Sequence, residues 1–258
     1  MATTPRTPAP KARKGTAKPS AQKQEPSTHL DGGRARDREV IEAAVEIFAE
    51  KGYSNASVQD VAERLGMLKG SLYYYINSKE SLLRKIFEDS HDEISHITDQ
   101  VMASDGTGLE RLSQFLVDYA TWTLTHLKRA GLYSREWRYA SEELQSSLLD
   151  QQRYYNRSLR SLIVTCQSEG SIPSSIDPRM VSLFIWSAFT TLPDWFNPDR
   201  DTEAVVAERY VVMALRAAGV SEPTPVLSSH AADLSRKPAA TATKKTAKAA
   251  ASRPSKKT

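Results

Sequence analysis

Residues 57–79 concentrate side chains that suit contacts with the phosphates and base edges of a nucleic acid. Two lysines supply cations, two serines supply hydroxyl groups, and a glycine lets the backbone approach a ligand closely. Three successive tyrosines add phenol hydroxyls for phosphate oxygens and ring faces for thymine methyl groups. The candidate contact residues are Ser57, Lys69, Gly70, Ser71, Tyr73, Tyr74, Tyr75 and Lys79.

Two short helices must position these side chains. Ser57 and Asp60 have the spacing of a capping box, which predicts a helix over 58–65 that Gly66 ends. A second helix over 69–76 would follow the turn, and this arrangement is typical of a helix-turn-helix. The alternative is a generic helical hairpin in which Ser57 is only a cap.

The second helix of this pair has one apolar face. Leu72 and Ile76 lie four residues apart and would pack inward, which leaves the tyrosines on the exposed arc, although Tyr73 or Tyr75 could be partly core. Lys79 falls in the first turn of the next helix, where free backbone N–H groups favour an anion. We therefore expect Lys79 to hold a phosphate.

The rest of the central sequence also has helical periodicity. A first helix ends at Lys51-Gly52, and longer helices are predicted over about 109–130, with a bend at Gly131, and from Ser141 to Gly170. Asp177-Pro178 begins a nearly all-apolar helix that Pro193 breaks, and a last helix covers about 201–218. No run alternates with period two for strand length, so the predicted class is all-α.

Charge divides the 258 residues into four segments. Residues 1–33 carry six basic and two acidic side chains, and residues 221–258 carry eight and two, so both are predicted to be disordered basic tails. Between them lie a near-neutral helix-turn-helix domain, 34–85, and a larger helical domain, 86–220, with twelve basic and nineteen acidic side chains. The tails either attract nucleic-acid phosphates or only aid solubility.

Residues 58–83, VQDVAERLGMLKGSLYYYINSKESLL, resemble the N-terminal domain of the tetracycline-repressor (TetR) family. The shared pattern joins a Val-Ala pair, a glycine turn and the run G-x-L-Y-x-(H/Y)-F-x-x-K-x-x-L, in which Ile76 replaces the usual phenylalanine. Met67-Leu68 stands where many members have valine followed by a hydroxyl residue. The turn sequence is similar to the branch that senses acyl-CoA thioesters and represses fatty-acid or sterol-ring degradation.

This resemblance implies a homodimer that binds a partly palindromic double-stranded DNA operator and releases it when a small effector enters the larger domain, and the similar branch makes an acyl-CoA the candidate effector. It also carries over the eight candidate residues as DNA contacts. In the family the last two helices form a four-helix interface with their twins. On those two helices the candidate interface residues are Phe184, Phe189, Val205, Val212 and Met213.

Aromatic residues and one basic stripe supply candidates for the effector site in the larger domain. Apolar pockets with a few polar groups bind small ligands between helices, although ordinary core packing explains most aromatics. Arginines at 153, 157 and 160 lie along one helix face and could bind CoA phosphates, or could pair with Asp150 and Glu143. The candidate effector contacts are Trp122, His126, Tyr133, Trp137, Arg153, Tyr154, Arg157 and Trp186.

Other function classes find no support in the sequence. It contains none of the nucleotide-binding, nucleophile-elbow or zinc-protease motifs, so we expect no enzyme, no cofactor and no metal. His91 and His96 lie about 140° apart on a helix and are expected at the surface, and Cys166 is expected to be buried and inert. No apolar run is long enough to span a membrane, which predicts a cytoplasmic, nucleoid-associated protein.

Three functions are therefore considered. The first is a ligand-responsive regulator, expected to be a repressor. The second is an architectural DNA-binding protein that uses its basic tails. The third is a TetR-family sensor of an aromatic or drug-like effector.

Overall fold

The computed structural model describes residues 29–223, and within that range the chain forms ten α-helices and no strand. The helices are α1 (His29–Lys51), α2 (Val58–Arg64), α3 (Lys69–Leu72), α4 (Lys79–Ala103), α5 (Gly108–Thr125), α6 (Leu127–Glu136), α7 (Glu142–Ser168), α8 (Pro178–Thr190), α9 (Leu192–Trp195) and α10 (Glu203–Ala217). A 3₁₀ turn, Trp137–Tyr139, follows α6. Most of the two predicted tails lies outside the described residues, while residues 29–33 belong to α1.

Glycines and capping boxes set the bounds of the N-terminal helices as predicted. Helix α1 ends at Lys51, and Gly52 follows in the left-handed region at φ 76°. Ser57 caps α2 through a reciprocal box with Asp60, and Gly66, at φ 63°, turns the chain toward α3. Ser78 caps α4 in the same way.

The α-helical part of the second helix is shorter than predicted. Helix α3 ends at Leu72, and the N–H groups of Tyr74 and Tyr75 donate to the carbonyls three residues earlier, at 3.3 and 3.0 Å. The prediction of a regular helix to Ile76 is therefore wrong. Gly70 and the aromatic residues have low helix propensity, and the cap of α4 at Ser78 leaves no room for another turn.

The two predicted domains share α4 rather than meeting at residue 85. The first half of this helix packs against α1 and the second half against α5 and α7. The core of the N-terminal domain also takes in Leu132 from α6 and Leu144 and Leu148 from α7. Movement of the larger domain must therefore reach the DNA-binding helices through packed side chains.

The break in the predicted 109–130 helix falls at His126, not at Gly131. His126 has φ −123° and ψ 40°, and Gly131 lies inside α6. The side chain of Thr125 donates to the carbonyl of Thr121 at 2.7 Å, and Nδ1 of His126 lies 2.9 Å from the carbonyl of Trp122. These side chains compete with the backbone for the last carbonyls of α5, which ends the helix.

Helices α5, α7, α8 and α10 enclose the core of the larger domain. Cys166 is fully buried within it, as predicted, and burial raises its pKa to about 11. Within residues 29–223 no helix is long and apolar enough to cross a bilayer.

Candidate DNA interface and effector cavity

The turn after α3 presents the predicted tyrosines to solvent. Tyr74 is 90% exposed, and Tyr73 and Tyr75 are 47% and 40% exposed. Leu72 and Ile76 are buried beneath them, as their spacing predicted. The arrangement offers three rings and three hydroxyls to a groove while two aliphatic side chains anchor the turn.

The remaining residues of α3 extend this surface. Lys69 and Gly70 are exposed and Ser71 is half-buried. A Cβ added at Gly70 would meet no atom within 4 Å, so glycine is not needed there for packing within the protein. The predicted close approach of DNA at Gly70 stays a prediction.

Ser57 is exposed but already committed to its helix cap. Its backbone N–H donates to the Asp60 carboxylate at 2.7 Å, and its hydroxyl oxygen accepts from the Asp60 N–H at 3.2 Å. The ammonium of Lys51 and the Ser57 hydroxyl bond the same carboxylate and lower the pKa of Asp60 to about 2. The cap therefore stays charged and intact at neutral pH.

Lys79 turns toward the protein instead of remaining a free cation at the start of α4. Its Nζ donates to the carbonyls of Ala56 at 2.8 Å and Ser54 at 3.3 Å, and lies 4.4 Å from the centre of the Tyr53 ring. Burial lowers its pKa. Two of the three ammonium N–H groups thus tie α4 to the segment before α2, and the phosphate contact of Lys79 stays a prediction.

An aromatic cavity lies in the larger domain beneath this DNA-binding surface. Its volume is about 40 Å³, and it lies among helices α4 to α8. Its walls are Phe87, Ser90, His91, Ile94, Tyr119, Trp122, Thr123, Ala130, Tyr133, Ser134, Gln151, Tyr155, Trp186 and Thr190. Trp122, Tyr133 and Trp186 are the predicted effector residues that the structure brings together here.

Stacked rings form the floor of the cavity. The ring of Trp186 lies between those of Tyr119 and Tyr155, with centroid distances of 5.0 and 5.4 Å. Both contacts are nearly parallel, at 18° and 19°. Such a floor suits an apolar or planar ligand.

His91 and Tyr155 are the polar pair of the cavity. Nδ1 of His91 is hydrogen-bonded to the Tyr155 hydroxyl, which also lies 3.2 Å from the His91 carbonyl. Burial lowers the pKa of His91 and raises that of Tyr155, so both are neutral at pH 7. The predicted surface position of His91 is wrong, and its spacing from Phe87 and Ile94 on the apolar face of α4 was the missed signal.

Five predicted effector residues lie outside the cavity. His126 stacks on the outer side of Trp122, and the Tyr154 hydroxyl donates to Asp99 on α4. Arg153 is exposed and pairs with Asp150 at 2.7 Å, as the alternative interpretation proposed, while Glu143 pairs with Arg84. Arg157 is also exposed, and Trp137 lines an adjoining groove.

We call this adjoining space the outer groove. Its volume is about 290 Å³, and it shares four wall residues with the cavity. Its walls are Tyr133, Ser134, Trp137, Leu148, Leu149, Gln152, Trp186, Thr190, Thr191 and Asp194. The shared residues lie between the cavity and the outer groove, so the two spaces are neighbours.

Helices α8 and α10 expose a separate apolar face. Phe184 is 60%, Met213 55% and Val205 40% exposed, and Met180 and Leu183 extend the same patch. Val212 is partly buried against the core. The placement of Phe189 in an interface is wrong, because it is 1% exposed and packs against Tyr119 and Tyr210 inside the protein.

A helix-turn-helix surface, joined by one long helix to a domain with an aromatic cavity, defines a DNA-binding transcriptional regulator. The family profile "Bacterial regulatory proteins, tetR family" matches residues 40–86, and "Tetracyclin repressor-like, C-terminal domain" matches 105–218. The chain belongs to the TetR family. Its members are transcriptional regulators and not enzymes.

Several known proteins resemble the chain over most of its length. The fatty acid metabolism regulator protein of Bacillus subtilis is 22% identical over 183 residues, which are 70% of this chain and 94% of the relative. The transcriptional repressor KstR2 of Rhodococcus jostii is 24% identical over 193 residues, 74% and 94%. The structure of AibR with isovaleryl coenzyme A and operator DNA shares the fold at 23% identity and a TM-score of 0.63, covering 69% and 97%.

Proposed function

We propose that the protein is a repressor that binds a palindromic operator as a homodimer and releases it when an acyl-CoA thioester binds the larger domain. The observation that carries this proposal is the connection, through α4, of the exposed tyrosine surface to the enclosed aromatic cavity. A ligand can change DNA affinity only if it favours one arrangement of these helices over another.

The acyl-CoA part of the proposal rests on the shape of the cavity and on the relatives. An apolar cavity beside a wider groove suits a ligand with an apolar end and a polar end. One relative is named for fatty-acid metabolism, and the AibR structure carries isovaleryl coenzyme A. The cavity of about 40 Å³ is smaller than an acyl chain or a sterol-derived ring, so such a ligand would enter by moving apart the rings of Trp122, Tyr133 and Trp186.

The dimer part of the proposal rests on the exposed face of α8 and α10. Apolar side chains at this density on neighbouring helices mark a protein interface. Pairing of this face with the same face of a second copy would place two tyrosine surfaces on one DNA duplex. The operator would then have two half-sites whose centres are separated by about one helical turn of DNA or a multiple of it.

A chain of polar contacts links the cavity to the DNA-binding helices. The Trp122 indole N–H donates to Glu93 of α4 at 2.7 Å, and Arg129 of α6 donates to the same carboxylate at 3.0 Å. The neighbouring Lys128 pairs with Glu46 of α1. A ligand that displaces Trp122 would therefore shift α4 and α6, and α1 with them.

Selection of bound genomic fragments by the purified full-length chain tests the DNA part. We expect enrichment of one palindromic sequence, and the variant lacking 1–28 and 224–258 should enrich the same one with weaker non-specific, salt-dependent binding. An absence of sequence preference in both proteins would favour the architectural alternative.

Release of that operator by a panel of acyl-CoAs, matched free acids and planar aromatic compounds tests the effector part. We expect release by a thioester at concentrations where its free acid has no effect. Release by aromatic compounds alone would support the drug-like alternative and contradict the acyl-CoA proposal.

A further inference from the structure

The two most exposed large apolar or aromatic side chains of residues 29–223 both lie in the helix-turn-helix. Tyr74 is 90% exposed, and Leu68, in the turn before α3, is 80% exposed. The next most exposed aliphatic side chain, Met180, reaches 57% and belongs to the apolar face of α8 and α10. Leu68 is therefore an aliphatic side chain that the DNA-binding surface presents to solvent.

The fold itself does not require a leucine at position 68. The Leu68 carbonyl accepts the N–H groups of Ser71 at 2.9 Å and Leu72 at 3.3 Å, so Leu68 is the N-cap residue of α3. Its backbone is extended, at φ −70° and ψ 141°, but its side chain supplies no cap hydrogen bond. Serine supplies that bond at the starts of α2 and α4 and is a better N-cap than leucine. An exposed leucine here contributes to neither the core nor the helix start, which makes it a candidate for contact with a bound molecule.

Position and chemistry together identify the group that Leu68 would contact. The first residues of a recognition helix contact base edges in the major groove, and Leu68 immediately precedes Lys69, the first residue of α3. An aliphatic side chain neither donates nor accepts a hydrogen bond. The apolar group that base edges present in that groove is the C5-methyl of thymine. Contact between the leucine and this methyl group removes apolar surface from water, which is favourable.

We infer that Leu68 determines part of the operator sequence by packing against the C5-methyl group of one thymine in each half-site. This inference rests on the proposed binding of a palindromic operator by a homodimer and adds a base-reading residue to the predicted contacts. The neighbouring Lys69 and Tyr74 carry an ammonium and a hydroxyl group, which suit phosphate oxygens as well as bases. Leu68 has no such group, so its contribution depends on the methyl group alone.

Replacement of thymine by 2′-deoxyuridine tests the inference, because it removes the methyl group and leaves the hydrogen-bonding edges unchanged. Each thymine of the selected operator is replaced in turn, symmetrically in both half-sites, and the full-length protein is titrated by fluorescence anisotropy. For one thymine position we expect about fourfold weaker binding per half-site, or roughly fifteenfold for both, since one methyl-sized group per half-site is no longer buried. Leu68→Ala should bind the thymine and uracil operators within about twofold of each other, because the two changes remove the same contact.

Leu68→Ser separates this role from a structural one. Serine can cap α3, so the variant should unfold at a higher urea concentration than the wild type and still lose the dependence on the thymine methyl group. Val164→Ala is the matched control, because Val164 is an exposed aliphatic residue, at 49%, on α7. It should keep the operator affinity and the methyl dependence of the wild type. Tyr74→Ala should keep the methyl dependence at the position that Leu68 reads.

Three results would overturn the inference. If the protein selects an operator but no thymine replacement weakens its binding, the assignment of Leu68 fails while operator binding stands. If the methyl dependence survives in both Leu68 variants, or disappears in Tyr74→Ala but not in Leu68→Ala, a different side chain reads the thymine. If the full-length protein selects no operator sequence, the proposed function and this inference fall together.

Discussion

Tyr74 is the most accessible side chain of the recognition turn, with 90% of its surface exposed. Since it makes no core contact, Tyr74→Ala should leave the free energy of unfolding unchanged. It should weaken specific operator binding by about 1–3 kcal/mol and relax sequence preference, because direct groove contacts carry discrimination of that size. Fluorescence anisotropy with operator and scrambled duplexes measures both effects.

Tyr139 provides the matched control for Tyr74. It is also an exposed tyrosine, at 61%, but lies in the 3₁₀ turn after α6. Tyr139→Ala should bind operator as the wild type does. If Tyr74→Ala keeps both affinity and preference, the tyrosine turn does not read the groove.

Lys79 combines a structural role with the proposed phosphate contact. Lys79→Ala removes the hydrogen bonds to the Ala56 and Ser54 carbonyls and should lower the free energy of unfolding by about 1–3 kcal/mol. It should also weaken all duplexes alike and reduce the salt slope by about one. Urea unfolding and salt-dependent DNA titrations separate these effects.

Lys69→Ala is the control that separates the loss of a phosphate contact in Lys79→Ala from its effect on stability. Lys69 is exposed on α3, so its loss should reduce the salt slope without a change in stability. A stability loss in Lys79→Ala with an unchanged salt slope would limit Lys79 to holding α4 against the segment before α2.

At the scale of helices, α8 carries an exposed residue, Phe184, and five positions later a buried one, Phe189. Phe189→Glu would bury a charge in the centre of the larger domain and should prevent folding, whereas Phe184→Glu should fold and run as a monomer with reduced operator affinity. Sedimentation velocity and circular dichroism of the two variants measure these outcomes. A folded, dimeric Phe184→Glu, together with a dimeric Met213→Glu, would place the interface elsewhere.

Helix ends marked by a side-chain cap, a proline or a left-handed glycine were predictable from the sequence because these signals act locally, whereas the end of α3 and the break at His126 were not. Ser57 with Asp60, Asp177-Pro178 and Gly219 each fixed an end that the structure confirms. The faces of α8 were not predictable, because it is apolar nearly all round. Only the positions of α5 and α10 make Phe189 core and leave Phe184 exposed.

The walls of the cavity were also only partly predictable, because they come from helices far apart in the sequence. Aromatic content predicted an effector site and three of its wall residues, but the stack of Tyr119, Trp186 and Tyr155 joins three helices that no local pattern relates. The arginine stripe of α7 had the right chemistry and spacing. Arg153 and Arg157 lie on the exposed side of α7 and line neither the cavity nor the outer groove.

At the scale of the whole molecule, one carboxylate connects the cavity wall to the helix that carries the DNA-binding domain. Glu93 lies on α4 about 20 Å along the helix from Lys79 and holds both Trp122 and Arg129. Effector binding and operator binding are coupled only if these contacts differ between the two arrangements of α4. A residue that touches neither ligand can therefore govern the response.

Glu93→Gln tests this coupling while preserving the size of the side chain. The amide cannot pair ionically with Arg129 and offers one acceptor in place of two, so α4 should lose its fixed relation to Trp122. We expect the effector-induced loss of operator affinity, typically about 1–3 kcal/mol in coupled sites, to fall toward zero while ligand-free operator binding stays near wild type. Operator titrations with and without saturating acyl-CoA measure it, and Glu88→Gln, on an exposed position of the same helix, is the control.

Thermodynamic reciprocity makes the Glu93 test internally checkable. If the coupling is real, operator DNA must weaken acyl-CoA binding by the same factor by which acyl-CoA weakens operator binding, and Glu93→Gln must reduce both factors equally. A variant that loses operator release but still binds acyl-CoA less tightly on DNA would have a changed release rate and not a changed coupling. Full coupling in both directions in Glu93→Gln would show that the signal passes through the packed core of α4, α5 and α6 and not through this carboxylate.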